Sequence, residues 1–469
     1  MQRSRIIMRL ASALIFALVA AAASAADFTP QQLDERLIER RAFDAVVWGV
    51  PAVNLDMMRQ AYFRDANARY NDIIWWPKGA DWRNQSLAAN TLVRYIYFFA
   101  DTRADGPIVF EIPAAVEGAT FYGTIMDSWQ FPVRDVGADG KATKYLLLPP
   151  GYEGEVPAGY TPLRFNTFGS YALVRSIVAS DKKADIARAD ALVAQLKVYP
   201  LSKAGNPPAQ TFRDMTGVPY EPAIPYDHRF FESLARIVND EPAQELDKQM
   251  LGMLHPLGIE KGKAFAPDAA TVAILERAGA EAQAYLLEGI TRVTKPYWEG
   301  GHWGMPTAPS GFATTFTWRL PDYIDVDGRG ISMANWFGPV EVLGKSSNYV
   351  ATFFDSDGRR LEGQHSYRLH VPANVPVRDF WSITAYDAVT SGLIRNAPVA
   401  VVSSRTKGLR VNRDGSVDVY FGPQPPPGKA SNWVYTEPGR MWFPWFRLYG
   451  PTEAFNDKSW KLTDFERIQ

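Results

Sequence analysis

The fold is decided by a short run of aromatic and β-branched residues, FYGTIMD at residues 121–127, which ends in an aspartate. Similar runs lie on either side of it, PIVFEIP at 107–113 and YLLLPP at 145–150, and Gly- and Pro-containing turns separate the three. Aromatic and β-branched residues favour strands, whereas Gly and Pro interrupt them. The pattern therefore predicts an antiparallel sandwich or barrel around these runs.

Outside this region, helical and strand-like patterns alternate. Strand-like runs return in the C-terminal third, for example FWSITAYD at 380–387, and Asp414-Gly415 predicts the tip of a hairpin over 411–421. The predicted segments are a signal peptide (1–25), a helical segment (26–64), a first β-sandwich domain (65–180), a helical insertion and connector (181–319) and a second β-sandwich domain (320–469). The predicted fold class is mainly β with α insertions (α+β), with two jelly-roll-like sandwiches joined by a helical segment.

The composition excludes several classes of function. The 469-residue chain has a formal net charge of −1 and no cysteine. A near-neutral charge argues against a nucleic-acid partner, because phosphate binding needs clustered Lys and Arg. The absence of cysteine excludes disulfides, thiol nucleophiles and Cys-ligated zinc. The five histidines are scattered, and no HExxH helix occurs. No metal site and no cofactor are predicted, although a carboxylate-only Mg²⁺ or Ca²⁺ site stays open.

The N-terminus has the pattern of a secretory signal peptide. Arg3, Arg5 and Arg9 precede an apolar run, and Ala23-Ser24-Ala25 supplies small residues for cleavage before Ala26. The apolar run is shorter than the roughly 20 residues that a membrane-spanning helix needs. The mature protein is therefore expected in the periplasm or outside the cell, with no stable membrane span after cleavage. Its oligomeric state stays open, a homo-oligomer included.

Longer motifs give the chain a family resemblance. They are GTIMDSWQ (123–130), YPLSKAGNPP (199–208), IPYDHRFFESL (224–234), YIDVDGRG (323–330) and NRDGSVDVYFGP (412–423). With them the chain resembles the bacterial proteins that join the domain of unknown function 1254 to the domain of unknown function 1214. The resemblance implies two jelly-roll-like β-sandwich domains and frequent export, without a settled activity.

Two positions depart from the pattern of that family. Where its members usually have an acid between an Asn and a Tyr, this chain has Leu92, with Asn90 and Tyr95 retained. Where they usually have an Arg before Ser-Ser, this chain has the apolar run Val399–Val402. Either these groups are structural in the family, or this member has changed or lost its common chemistry.

Three carboxylates are the predicted catalytic groups: Glu111, Asp127 and Asp227. Acid–base hydrolysis of a glycoside needs one acid with a raised pKa and one ionised carboxylate, roughly 5 to 10 Å apart. Glu111 and Asp127 lie at strand ends, and Asp227 lies in an aromatic-rich helix start. The alternative is structural: Asp127 accepts backbone N–H bonds where its strand ends, and Asp227 caps a helix.

The predicted substrate-binding residues are aromatic, amide and arginine side chains: Asn90, Tyr95, Trp129, Tyr226, Arg229, Trp381 and Arg447. The aromatic rings could stack on sugars and the arginines could orient an anionic group. Alternatively, the rings belong to the core and the arginines form ordinary ion pairs.

These residues favour an exported hydrolase or lyase that acts on a carbohydrate or another polar small molecule. The alternative is a non-catalytic periplasmic ligand-binding or envelope-associated protein, which the departures at Leu92 and Val399–Val402 favour. A third class, an oxidoreductase with an externally bound metal or quinone, stays open.

Overall fold

The computed structural model describes residues 28–341 and 347–468. The predicted signal peptide, residues 1–25, lies outside the described residues. Within them the chain forms nine helices and 18 strands in four sheets. The predicted fold class, mainly β with α insertions and two β-rich regions, is confirmed.

The helices fall mainly between and before the two β regions. They are α1 (Pro30–Arg64), α2 (Thr102–Asp105), α3 (Lys183–Val193), α4 (His228–Asp240), α5 (Lys248–Leu254), α6 (Ala269–Val293), α7 (Pro309–Ala313), α8 (Val326–Met333) and α9 (Glu453–Asn456). None of the described helices is long and apolar enough to cross a membrane.

The first β region is a sandwich of two sheets. Its strands are β1 (Ile73–Trp75), β2 (Arg94–Asp101), β3 (Ile108–Ile112), β4 (Ala119–Asp127), β5 (Pro132–Val136), β6 (Thr143–Leu148), β7 (Thr161–Arg164), β8 (Gly169–Val178), β9 (Lys197–Pro200) and β10 (Phe212–Asp214). The six-stranded sheet has the order β10-β1-β2-β8-β4-β5, and the four-stranded sheet has the order β7-β6-β3-β9. Apolar residues of both sheets, such as Phe98, Phe110 and Leu147, form the core between them.

The second β region is also a sandwich of two sheets. Its strands are β11 (Ser347–Ala351), β12 (Ser366–Val371), β13 (Val377–Asp387), β14 (Val401–Ser403), β15 (Val417–Gly422), β16 (Trp433–Tyr435), β17 (Trp442–Pro451) and β18 (Glu466–Ile468). The sheets have the orders β11-β17-β13-β14 and β16-β15-β12-β18. Their shared core contains Trp381, Phe421 and Phe446.

Helix α1 connects the two sandwiches. Its C-terminal half packs on the outer face of the six-stranded sheet, and its middle belongs to a helical core that reaches Phe443 and Trp445 of β17. Pro51 lies inside α1 and cannot donate to the Val47 carbonyl. Gly330 of α8 lies against that carbonyl, where a Cβ would stand 2.4 Å from its oxygen. The glycine therefore permits the close packing of α8 on α1.

Candidate functional site

The outer face of the six-stranded sheet carries a row of three polar side chains. Arg175 on β8 pairs in register with Tyr95 on β2 and with Tyr122 on β4. Its guanidinium carbon lies 5.8 Å from the centre of the Tyr95 ring and 6.0 Å from that of the Tyr122 ring. Side chains alternate faces along a strand, so this row points away from the sandwich core and toward the second β region.

The second sandwich presents a similar arginine. Arg447 on β17 pairs in register with Tyr349 on β11, and its guanidinium lies 5.5 Å from the Tyr349 and Tyr386 rings and 5.4 Å from that of Trp445. It donates hydrogen bonds to the Tyr386 hydroxyl at 2.8 Å and to the Ala88 carbonyl at 3.1 Å. Arg447 is therefore fixed in place by groups from both halves of the chain.

The two arginines belong to one site. Tyr95 and Tyr349 act electrostatically on both Arg175 and Arg447. The loop before β2 closes one side, since Asn90 donates to the Tyr449 hydroxyl. We call the set Arg175, Arg447, Tyr95, Tyr122 and Tyr349 the two-arginine site.

The two-arginine site has positive charge without a carboxylate to balance it. In the described part of the chain, neither Arg175 nor Arg447 forms an ion pair, and the Arg175 side chain has no hydrogen bond. Burial disfavours the charged form of each arginine, but the neighbouring tyrosines outweigh it and raise both pKa values. Burial raises the pKa of Tyr95, so its phenol stays neutral. Both guanidinium groups are therefore charged at neutral pH.

Buried hydrogen-bond donors surround these arginines without acceptors. Among the described residues, the Trp445 indole N–H, the Ser382 hydroxyl and the Tyr171 hydroxyl are buried and unpartnered. The Trp445 ring lies against Arg447, and Ser382 is the register partner of Arg447 on β13. Arg175 and Tyr349 are half-buried, so the site is open to solvent. Unpartnered donors beside unpaired cations suit a ligand that carries negative charge and hydrogen-bond acceptors.

Comparison with known families matches each β region to a protein family. Residues 70–200 match the protein of unknown function DUF1254, and residues 346–453 match the protein of unknown function DUF1214. The chain joins a DUF1254 domain to a DUF1214 domain. The predicted resemblance is confirmed, with the two domains in the expected order. Each domain supplies one arginine of the two-arginine site.

Solved structures similar to this chain include the two described below, and no curated protein matches it. The crystal structure of the VPA0106 protein from Vibrio parahaemolyticus is 18% identical, with a TM-score of 0.54, over 92% of this chain and 100% of that one. An uncharacterized protein from Burkholderia cenocepacia is 14% identical, with a TM-score of 0.41, over 93% of this chain and 96% of that one. The first likeness supports the fold alone.

Three of the predicted binding residues meet at the two-arginine site. Tyr95 of the DUF1254 domain and Arg447 of the DUF1214 domain belong to it, and Asn90 borders it. Sequence reasoning missed Arg175, Tyr122 and Tyr349. One signal was available for Arg175, because it is the one charged residue in the apolar strand GSYALVRSIV at 169–178.

The predicted catalytic carboxylates do not come together. Glu111 bonds to the Tyr199 hydroxyl and to Lys144, both on the four-stranded sheet of the DUF1254 domain. Asp227 caps α4 through the Arg229 backbone N–H at 2.9 Å and pairs with the Arg229 guanidinium at 2.6 Å. The bonds of Arg229 and Asp227 are local ones, which matches the structural alternative for this pair.

The remaining predicted aromatic residues pack against other rings. Trp381 is 4% exposed and stacks on Phe446 inside the DUF1214 sandwich, so it is not an open ligand platform. Tyr226 stacks on Phe230 at a ring distance of 6.1 Å. Trp129 contacts the Trp48 ring and also lines a cavity beside α4.

Asp127 lies in a separate charged cluster at the end of β4. One carboxyl oxygen accepts the backbone N–H groups of Trp129 and Phe131, both at 2.9 Å. Burial raises the pKa of Asp127 to about 6, although these N–H bonds and nearby Arg329 lower it. Arg329 is buried, donates to the Trp129 carbonyl, and has its pKa lowered by burial to about 10. Within the described residues, no group of three or more His, Asp or Glu could hold a metal ion.

Replacing Asp127 with asparagine is expected to stabilise the protein at pH 8 but not at pH 4. A folded-state pKa near 6 lies above the unfolded value, so ionisation of Asp127 costs folding free energy as the pH rises from about 4 to 6. The cost is on the order of 2 kcal/mol above that window. Urea unfolding of the wild type and Asp127→Asn across this range measures it, with exposed Asp181→Asn as the control. Parallel pH profiles for wild type and Asp127→Asn would contradict the expectation.

Proposed function

We propose that this protein binds a small anionic molecule, one that carries a carboxylate or phosphate group, at the two-arginine site between its two β domains. The proposal rests on one observation: Arg175, which lies against Tyr95, and Arg447, which lies against Tyr349 and donates to the Ala88 carbonyl before β2, form no ion pair in the described residues. The sequence favoured such a non-catalytic ligand-binding protein only as an alternative to an enzyme, and it did not indicate the class of ligand.

The energetic support is the cost of an unpaired buried charge. Arg447 is 3% exposed and its donors reach only neutral acceptors. A buried cation without a counter-charge costs several kcal/mol, and guanidinium bonds to an anion are strong and directional. A bound anion would offset that cost and would also accept bonds from the unpartnered donors.

The surroundings favour a flat anion. Four aromatic rings, those of Tyr95, Tyr122, Tyr349 and Trp445, lie beside the two guanidinium groups. Aromatic rings and planar guanidinium groups both suit stacking on a planar ligand. Leu92, which replaces the acid usual in the family, follows Asn90 at the edge of the site and donates its backbone N–H to the Asn90 side chain at 3.0 Å. The substitution makes this border less negative.

Titration of the wild-type protein with benzoate, inorganic phosphate and neutral benzamide at fixed ionic strength tests the proposal. We expect saturable heat and a rise in Tm with at least one anion, and neither with benzamide. At a ligand concentration of 100 times Kd the gain in folding free energy is about 2.7 kcal/mol. Binding of benzamide as tight as that of benzoate, or no response to either anion up to millimolar concentration, would contradict it.

A second candidate is hydrolysis or elimination on a polar substrate with Asp127 as acid or base. One observation supports it: the pKa of about 6 lies in the range useful for proton transfer near neutral pH. A screen of glycans and esters with wild type and Asp127→Asn tests this role. Full activity in the variant would exclude Asp127. We also propose that the protein is exported, which cell fractionation of the full-length chain would test.

A further inference from the structure

A cavity separate from the two-arginine site lies beside the C-terminal half of α4 and the N-terminus of α5. Its volume is about 190 Å³. Apolar side chains of Trp129, Ile237, Val238, Leu251 and Ile259 form much of its wall, and Asp247 is among its polar residues. An apolar cavity of roughly 150 Å³ is large enough for benzene, so this one suits a single ring with a short substituent.

Asp247 is a buried carboxylate of this cavity that has no bonded partner among the described residues. It is 8% exposed, and its carboxylate forms no hydrogen bond or ion pair with any described residue. Burial raises its pKa, which nearby Arg329 and Arg319 lower only in part. Neither arginine reaches ion-pair distance of Asp247, and Arg329 and Arg319 also act on Asp127.

The two glutamates and the lysine of the lining are already bonded, and His255, which also lines the cavity, is exposed and forms no side-chain bond with a described residue. Both Glu241 oxygens accept hydrogen bonds, from the Ser128 hydroxyl and from the backbone N–H groups of Phe168 and Gly169. The Lys261 ammonium donates to three backbone carbonyls at the C-terminal end of α4. Glu260 also lines the cavity, and it forms an ion pair with Lys263, which does not line it. Among the described carboxylates of the lining, Asp247 is therefore the one left unpaired for a cationic ligand.

We propose that this cavity binds a small amine, with its ammonium group on Asp247 and a ring-sized apolar body against Trp129, Ile237 and Leu251. The charge preference is opposite to that of the two-arginine site. The two proposals therefore stand or fall separately.

Titration of the full chain with 2-phenylethylamine and with 2-phenylethanol, its neutral counterpart of similar shape, tests the inference. At a pH where the amine is protonated, we expect the amine to bind at least about tenfold more tightly than the alcohol, because a charged hydrogen bond is stronger than a neutral one. Asp247→Asn preserves the shape of the side chain and should remove this difference. Equal amine affinity in wild type and Asp247→Asn would overturn the proposal, as would absence of amine binding to the wild type.

Two further variants test whether the amine binds in this cavity. Ala243 lines the cavity from an exposed loop, so Ala243→Phe should block amine binding while it retains Asp247 and the core. Arg175→Met should leave amine binding unchanged, because Arg175 belongs to the other site. Unchanged binding in Ala243→Phe, or loss of binding in Arg175→Met, would overturn the assignment to this cavity. Tighter binding of phenylacetate than of the amine would also overturn it.

Discussion

Replacing Arg175 with methionine is expected to weaken anion binding strongly while the protein stays at least as stable as the wild type. Arg175 has no hydrogen bond or ion pair in the described residues, so its removal leaves no buried acceptor without a donor. Methionine has a similar length and fills the space between Tyr95 and Tyr122. The free energy of unfolding should stay level or rise by at most about 1 kcal/mol, because a half-buried charge that forms no ion pair with a described residue disappears.

The loss of affinity should be large. Two charged hydrogen bonds to an anion contribute about 3 kcal/mol or more together, which corresponds to roughly a hundredfold change in Kd. Calorimetric titration with benzoate or phosphate measures the affinity, and urea unfolding measures the stability. Arg175→Lys keeps the charge and should retain part of the affinity, while Arg413→Met, at an exposed turn, should change neither quantity. A destabilised Arg175→Met protein with normal anion affinity would show that Arg175 has a structural role.

Replacing Asp56 with alanine is expected to cause the largest loss of stability. The Asp56 carboxylate is 3% exposed and joins α1 to α4. It accepts bonds from Arg59 at 2.6 Å, from the Ser233 hydroxyl at 2.5 Å, and from Arg236. Without Asp56 the buried Ser233 hydroxyl loses its acceptor and Arg236 loses its ion pair, whereas Arg59 keeps Asp240. Breaking a buried ion pair costs about 3 to 5 kcal/mol.

Thermal and urea unfolding of Asp56→Ala measure this loss. Asp34→Ala is the matched control, because Asp34 is an exposed aspartate on the same helix. We expect the control to stay within about 0.5 kcal/mol of the wild type. A loss no larger in Asp56→Ala than in the control would mean that the network adds little to the packing of α1 on α4.

Local structure was the part of the fold that the sequence could predict. The strand at FYGTIMD is found as β4, and FWSITAYD is found within β13. The hairpin over 411–421 is only half correct, because its first arm forms no strand and β15 pairs with β12 and β16. Strand pairing depends on contacts between distant segments, which local patterns do not encode. The sequence therefore did not show that β9 and β10, which follow residue 180, are edge strands of the first sandwich.

The candidate site was less predictable than the fold. Asn90 and Tyr449 meet although 359 positions separate them, and no local pattern encodes that contact. The predicted catalytic carboxylates were conspicuous in the sequence, but Glu111 bonds to Tyr199 and Lys144, and Asp227 bonds to Arg229. Arg175 and Arg447 could not be singled out from the sequence, because only the structure shows that neither forms an ion pair with a described residue.

The proposed anion site takes one arginine from each sandwich. Under that proposal, an anion held by Arg175 and Arg447 would link the two sandwiches. Its binding free energy therefore adds to the packing of one sandwich on the other. By the same coupling, any change that loosens the contact between the sandwiches, even far from the ligand, weakens binding.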